Sequence, residues 1–272
     1  MKKFPFIIAI TTGSLFLTAA RASAGEADLA KQLANPVAAL ISVPIQANYD
    51  ENIGTHEKGE MWRINIQPVI PFGISDDWNL ISRTIVPVID QKNIPAPGMD
   101  ESGIGDVVQS FFFSPKAPTA AGLIWGVGPV LYLDSATDNK LGAGKWGAGP
   151  TAVVLKQQGP WTYGALVNHI ESFDGNDGSD DINAIDISAT FLQPFLTYVT
   201  ASQTTFALNT ESTYDWEANK WSVPIILNVA QLFKLGNQLF QIGGGIRYWA
   251  QSPKSGPDDW GFRLQLTLLF PK

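Results

Sequence analysis

The sequence predicts an all-β chain: a transmembrane antiparallel outer-membrane β-barrel of about twelve strands, preceded by a short N-terminal helical segment. Three observations predict it. The C-terminal stretch alternates along its whole length, with Trp260, Phe262, Leu264, Leu266, Leu268 and Phe270 on one parity and Gly261, Arg263, Gln265 and Thr267 on the other. Successive side chains of a strand point to opposite faces, so one face is continuously apolar and the other carries a guanidinium and an amide. The connections between strand candidates mostly alternate short and long, as in barrels with tight turns at one end and projecting loops at the other. The nine tryptophans all fall near strand ends, as two girdles at the membrane-water boundaries would, because an indole is apolar while its N–H seeks a wet partner.

Composition narrows the class. The chain has 272 residues, a net charge of −7 and no cysteine. Its mean hydropathy of +0.03 lies below that of a helical membrane protein and suits a barrel, in which half of each strand faces a polar interior. Nucleic acid is not an expected partner, since neutralising phosphates needs clustered Lys and Arg. Residues 1–24 read as a signal peptide: Lys2 and Lys3 form a basic start, Phe4 to Ala20 is largely apolar, and Ala22-Ser23-Ala24 supplies small residues for cleavage. Loss of Lys2, Lys3 and Arg21 makes the exported chain more acidic still. Without disulfides, an exported chain depends on its own hydrogen bonding and burial, which a closed barrel provides.

Residues 25–36 form a short helical segment on the periplasmic side, an appendage or a small plug. Leu29 and Leu33 stand at helical spacing, and Asn35-Pro36 ends the run. The barrel occupies 37–272. Strands are expected near 37–47, 60–73, 78–90, 104–114, 123–134, 146–157, 160–173, 185–200, 204–216, 220–233, 238–250 and 259–270. The tight connections are Ile74 to Asp77, Gln158-Gly159, Ala201 to Gln203 and Lys234 to Asn237, with a longer one from Pro115 to Gly122. Polar loops run from Asn48 to Gly59, Gln91 to Gly103, Ser135 to Lys145 and Asp174 to Ala184, and shorter ones from Glu217 to Asn219 and Gln251 to Asp258. An even strand number puts both termini at the periplasmic end.

Prolines oppose this assignment. Pro44, Pro68, Pro71, Pro87, Pro129, Pro150, Pro194 and Pro224 fall inside expected strands, where a proline cannot donate to the ladder. They are expected to mark bulges or kinks that bend the wall, constricting the interior or opening a lateral gap. If they split strands instead, the count changes by two.

The segments Asn35-Pro-Val-Ala-Ala-Leu-Ile-Ser-Val-Pro44, Asp77-Trp-Asn-Leu-Ile-Ser-Arg-Thr84, Gly105-Asp-Val-Val-Gln-Ser-Phe-Phe-Phe-Ser-Pro-Lys116 and Gly144-Lys-Trp-Gly-Ala-Gly-Pro150 carry a family likeness. They resemble bacterial outer-membrane barrels associated with the meta-pathway of phenol degradation, whose members are often labelled transporters. The resemblance spans essentially all of the mature chain. It implies a membrane barrel akin to channels that admit fatty acids and aromatic hydrocarbons, and it transfers no site residues.

Strand parity nominates the residues that line the interior. Trp62, Ile64 and Ile66 outside leave Arg63, Asn65 and Gln67 inside. Phe206, Leu208 and Tyr214 outside leave Asn209, Glu211, Thr213 and Asp215 inside. Phe240, Ile242 and Ile246 outside leave Gln241 and Arg247 inside, and the last strand adds Arg263 and Gln265. Arg83 is also assigned inward, since a charge at the midplane of the lipid face costs about 2–4 kcal/mol. Four arginines with Glu211 would form a lumen attractive to anionic solutes, or would fill a narrow barrel with ion pairs.

Other motifs are weak. Gly142 to Gly147 has the spacing of a dinucleotide fingerprint but leads from a loop into a strand. Asp174, Asp177, Asp180 and Asp181 lack calcium-loop spacing. His169, in a strand, would serve a hydrolase only with a neighbouring serine, and no serine is marked. The expectation is therefore a non-enzymatic barrel, without cofactor or metal, that contacts outer-membrane lipid and passively transports a small, aromatic or hydrophobic solute. The alternatives are a closed structural or surface-interaction barrel, an outer-membrane hydrolase, and a soluble β-sandwich.

Overall fold

The computed structural model describes residues 24–173 and 185–271. One helix, α1 (Ala24–Leu33), precedes fifteen strand segments: β1 (Ile41–Ile53), β2 (Gly59–Ile66), β3 (Val69–Gly73), β4 (Trp78–Lys92), β5 (Glu101–Ile104), β6 (Val107–Pro115), β7 (Leu123–Leu133), β8 (Gly147–Gln158), β9 (Trp161–Ser172), β10 (Ser188–Val199), β11 (Thr204–Thr210), β12 (Ser212–Asp215), β13 (Lys220–Leu235), β14 (Gln238–Gln251) and β15 (Trp260–Phe270). β2 with β3, β5 with β6 and β11 with β12 run in line as single staves, giving twelve. All pair antiparallel with their sequence neighbours, and β15 closes the ring on β1 from Ile41↔Phe270 to Tyr49↔Phe262. Closure removes the free edge, so every wall strand finds its backbone partners within the chain, which a hydrocarbon surround demands.

The strand prolines leave the stave count intact. Pro44 on β1 and Pro68 between β2 and β3 interrupt no register: Gln67 N–H donates to the Pro44 carbonyl and Thr84 N–H to the Pro68 carbonyl. Glu211 separates β11 from β12, yet both segments keep one register with each neighbour, Asn209↔Phe195 with Ser212↔Leu192 and Thr210↔Ile225 with Thr213↔Ser222. By that register Glu211 stands opposite Gln193 of β10 and Pro224 of β13, and the latter lacks a donor. Opposite Pro87 the wall does bulge. β5 pairs β4 through Val88↔Ile104 whereas β6 pairs it through Ile85↔Val108, so one residue, Asp106, is extra.

Parity is as the alternation requires. Ser42, Asn48 and Asp50 of β1 are buried, while Tyr49 packs outside against Trp62 and Phe262, with ring centroids 5.2 and 5.1 Å away. At the short-turn end Trp78 meets Trp125 edge-on at 5.7 Å and Trp161 meets Tyr198 at 4.7 Å. Trp249 departs from the girdle expected of it: its ring is inside, as described below. The first strand also differs from expectation. It begins at Ile41 rather than 37 and continues to Ile53, through residues read above as loop. Asn48 and Asp50 are polar because they face inward, and a polar inward face beside Glu51 and Asn52 is indistinguishable from a loop by composition.

The interior is not polar all round. Ile81, Phe112, Val153, Leu155 and Leu166 point inward from β4 and β6–β9 and pack around Val37, with Val69, Ile124, Phe191 and Phe195 at the rim. Val37 belongs to the N-terminal segment, which lies within the barrel. α1 packs through Ala30, Leu29 and Leu33 on Ala38, Leu40, Val199, Leu232, Leu239 and Leu269 at the short-turn end. Gln157 on β8 ties it there, its Nε2 donating to the Lys31 carbonyl at 2.8 Å. The acidic stretch Asp174 to Asp181 and the expected leader up to residue 23 lie outside the described residues.

Candidate functional site, an arginine-lined cavity

Because Val37 and its neighbours fill the side formed by β6–β9, the space that remains is bounded by β1–β4 and β10–β15. It is a cavity of about 740 Å³ that extends from Ala30 and Leu33 of α1 to Ser255, Gly256 and Pro257 at the long-loop end. Of the residues assigned inward from parity, Arg63, Asn65 and Gln67 on the second stave, Arg83 on the third, Asn209, Glu211 and Thr213 on the ninth, Gln241 and Arg247 on the eleventh, and Arg263 and Gln265 on the last line it; Asp215 does not, and at the end of β12 it instead accepts the Ala218 N–H of the following turn. Period two suffices for this, since each stave keeps its parity through the proline positions that interrupt its ladder.

Parity does not disclose how these groups pair. Arg263, 1% exposed, donates from Nη1 and Nη2 to the two oxygens of Glu211, both at 2.8 Å, and from Nε to Asn48 Oδ1 at 2.6 Å. A guanidinium and a carboxylate matched in this two-point fork form one of the stronger polar contacts in proteins. Nearer the long-loop end Arg247 Nη1 donates to Asp50 Oδ2 at 2.9 Å, and Trp249 Nε1 donates to Asp50 Oδ1 at 2.9 Å. The Arg247 guanidinium also lies 5.2 Å from the Trp249 ring centroid. Gly261 makes room for this cluster, because a Cβ there would lie 2.5 Å from Asp50 Oδ1 and 2.5 Å from the Tyr49 carbonyl.

Arg83 differs in having an amide partner. Its Nη2 donates to Gln67 Oε1 at 2.9 Å, Gln67 Nε2 to Gln46 Oε1 at 2.7 Å, Gln46 Nε2 to Gln265 Oε1 at 3.3 Å, and Gln265 Nε2 to Thr267 Oγ1 at 3.2 Å. The relay circles a quarter of the wall across four staves. Arg63, exposed near the long-loop end, makes a weak contact with Met61 Sδ at 3.7 Å. Asn209 Oδ1, Asn228 Oδ1 and the Arg247 Nε are buried without a hydrogen-bond partner among the described residues, and all three residues line the cavity.

Sequence reasoning missed Asn48, Asp50, Gln46 and Trp249. Asn48 and Asp50 were hidden by a false loop boundary, and Trp249 by the general preference of indoles for girdles. The parity of Arg247 carries Trp249 inward with it and was the available signal.

His169 is elsewhere. It sits on the outward face of β9, with Nδ1 2.9 Å from Thr190 Oγ1 and Nε2 3.3 Å from Glu171 Oε2, and Trp216 Nε1 donates to the same threonine at 2.9 Å. The hydroxyl beside it is a threonine rather than the serine a hydrolase was expected to need. Among the described residues no group of three or more acidic, histidine or cysteine side chains is placed to hold a metal ion.

No family model matches the sequence, and no curated relative does. Solved structures do. An outer-membrane channel from Pseudomonas putida F1 superposes with a TM-score of 0.66 at 14% identity, over 85% of this chain and 96% of that one. The outer-membrane phospholipase A from Escherichia coli gives 0.49 at 8% identity, over 86% and 90%. The KdgM porin in complex with disordered oligogalacturonate gives 0.47 at 8% identity, over 85% and 99%. At these identities the first likeness establishes the fold alone, and the other two add nothing to it. The chain is thus a closed twelve-stave antiparallel barrel of the outer-membrane kind.

Proposed function

We propose that this protein resides in the bacterial outer membrane, exported by its N-terminal leader, and conducts a small solute passively through the arginine-lined cavity. One observation carries the reading: a cavity lined by four arginines runs inside a closed barrel from α1 to the loop at Ser255 to Pro257. A barrel that served only as a scaffold would need no such space, since side chains can fill a wall of this size. The short-turn end, with α1, faces the periplasm in this reading, and the long loops face outward. The likeness to barrels of the phenol meta-pathway supports the same class. Two of its segments fall on structurally distinctive places, Asn35 to Pro44 where the N-terminal segment passes into β1, and Gly105 to Lys116 across the Asp106 bulge.

The test is conductance of the folded protein in planar bilayers together with solute flux into vesicles. Discrete steps and flux above that of a barrel with a filled interior are expected. Their absence from membrane-folded protein favours a closed structural barrel. His169→Ala is expected to leave flux unchanged, because His169 lies outside the cavity.

A further inference from the structure

The cavity is unevenly neutralised. Asp50 and Glu211 face Arg63, Arg83, Arg247 and Arg263, a surplus of two positive charges in a chain whose net charge is −7. Both carboxylates are committed, Asp50 to Arg247 and Glu211 to Arg263. Among the described residues Arg63 and Arg83 form no ion pair. A guanidinium has five N–H donors and a charge it cannot lose by deprotonation. Arg63 is exposed, but Arg83 is half-buried, where a charge calls for a counter-charge, and among the described residues no carboxylate is in ion-pair contact with it.

The surroundings of Arg83 specify what would complete it. One N–H is held by Gln67, and the Gln67-Gln46-Gln265 relay spends each amide oxygen on the preceding donor. The relay fixes the guanidinium in place without neutralising it. Directly opposite Arg83 in the ladder is Val69. Val69, Phe191 and Phe195 form the rim of the apolar cluster around Val37, and all three line the cavity with Ile85. Arg83 therefore stands at the boundary between a polar wall and an apolar one.

We infer that the cavity binds a small organic carboxylate with an apolar body, its carboxylate on Arg83 and its hydrocarbon part against Val69, Ile85, Phe191 and Phe195. Arg63, farther toward the long loops, attracts the same charge along the path. This deepens the channel reading and takes the ligand's route to the site from it. The site itself is an equilibrium property that can be measured separately.

The experiment titrates the folded protein in non-ionic detergent with hexanoate, hexan-1-ol, hexylammonium and acetate by calorimetry. It is repeated on Arg83→Gln and Arg63→Gln after each is shown to be heat-modifiable like the parent. Hexanoate is expected to saturate one site. Hexan-1-ol and acetate should bind about tenfold more weakly or worse, each lacking one half of the recognition, and hexylammonium should not bind. Arg83→Gln should weaken hexanoate by at least about tenfold. The inference is overturned if hexanoate shows no saturable binding, if hexan-1-ol binds as tightly, or if a folded Arg83→Gln retains the parent affinity. Should Arg83→Gln not fold, the ligand comparison on the parent still decides. In bilayers under a salt gradient, conductance without hexanoate binding sinks the site and leaves the channel. Hexanoate binding without conductance sinks the channel and leaves the site.

Discussion

Arg263 shows how much one buried charge asks of its neighbours. It is 1% exposed, and Glu211 and Asn48 take three of its N–H groups. Glu211→Gln would leave that guanidinium inside the barrel with no carboxylate, and breaking one side of a buried pair costs about 3–5 kcal/mol. The urea midpoint of the folded barrel in vesicles should fall accordingly. Removing both charges, as Glu211→Gln with Arg263→Met, should recover most of the loss, and failure to recover would mean that the pair holds the wall by more than mutual compensation. Gly261 is constrained differently. Gly261→Ala would drive a methyl into Asp50 and the Tyr49 carbonyl, and overpacking of this kind costs about 1–3 kcal/mol. The Asp50-Arg247-Trp249 cluster should be displaced with it, visible as a change in Trp249 fluorescence. None of these partnerships is legible in the sequence. Parity says that Arg263 and Glu211 face inward, but their approach depends on how far apart two staves distant in sequence are brought by the ring.

Prolines punctuate several of these strands, and what each does depends on which neighbour it faces. Pro129 and Pro150 stand opposite one another in the β7–β8 ladder. On their far sides the pairing to β6 skips from Ser110↔Val130 to Phe113↔Val127, and the pairing of β8 to β9 skips from Ala148↔Glu171 to Thr151↔Asn168. Gly128 and Gly149 stand beside these gaps, and a Cβ on either would meet the Phe111 or the His169 carbonyl. Outward polar groups nearby satisfy one another, Gln109 bonding Ser82 and Thr84, as a lipid-facing surface requires. The Asp106 bulge has a clearer purpose. Asp106 accepts the N–H groups of Ser135 and Ala136 at 3.0 Å and of Ala143 at 2.6 Å, so one carboxylate shapes the loop from 134 to 146. Asp106→Ala should leave the barrel folded while hydrogen exchange at those three amides speeds up by about tenfold or more, given about 1–3 kcal/mol for each group left unsatisfied. Unchanged exchange would assign the loop's order to other contacts. Strand positions and the stave number were readable because they depend on period two and on turn residues. Pro87 signalled an irregularity, but not that the extra residue would be Asp106 on the facing stave, since one extra residue in a strand leaves no compositional trace.

Across the whole molecule two solvents meet one wall. The outside must be apolar: Leu264 and Leu227 are about half exposed on the outer face, and Leu264→Arg there should cost about 2–4 kcal/mol near the midplane. Unfolding in vesicles would measure it, and a cost near zero would place Leu264 outside the hydrocarbon. The inside divides into a packed apolar side and an arginine-lined cavity, and the N-terminal segment makes that division. Deleting residues 25–36 removes α1 from its seat on Leu40, Leu232 and Leu269, so open-channel conductance should rise while the barrel stays heat-modifiable. Equal conductance would mean that α1 does not narrow the path.

Sequence alone determined a closed antiparallel barrel and its twelve staves. Both follow from short-range rules, the alternation of side chains and the chemistry of turns. Tertiary structure decided the rest. It placed the N-terminal segment inside, packed one side of the lumen with hydrocarbon, turned Trp249 inward, and gave Arg247 and Arg263 their carboxylates and Arg83 an amide. Those outcomes depend on which staves closure brings face to face, and that distance is written in no single stretch of chain.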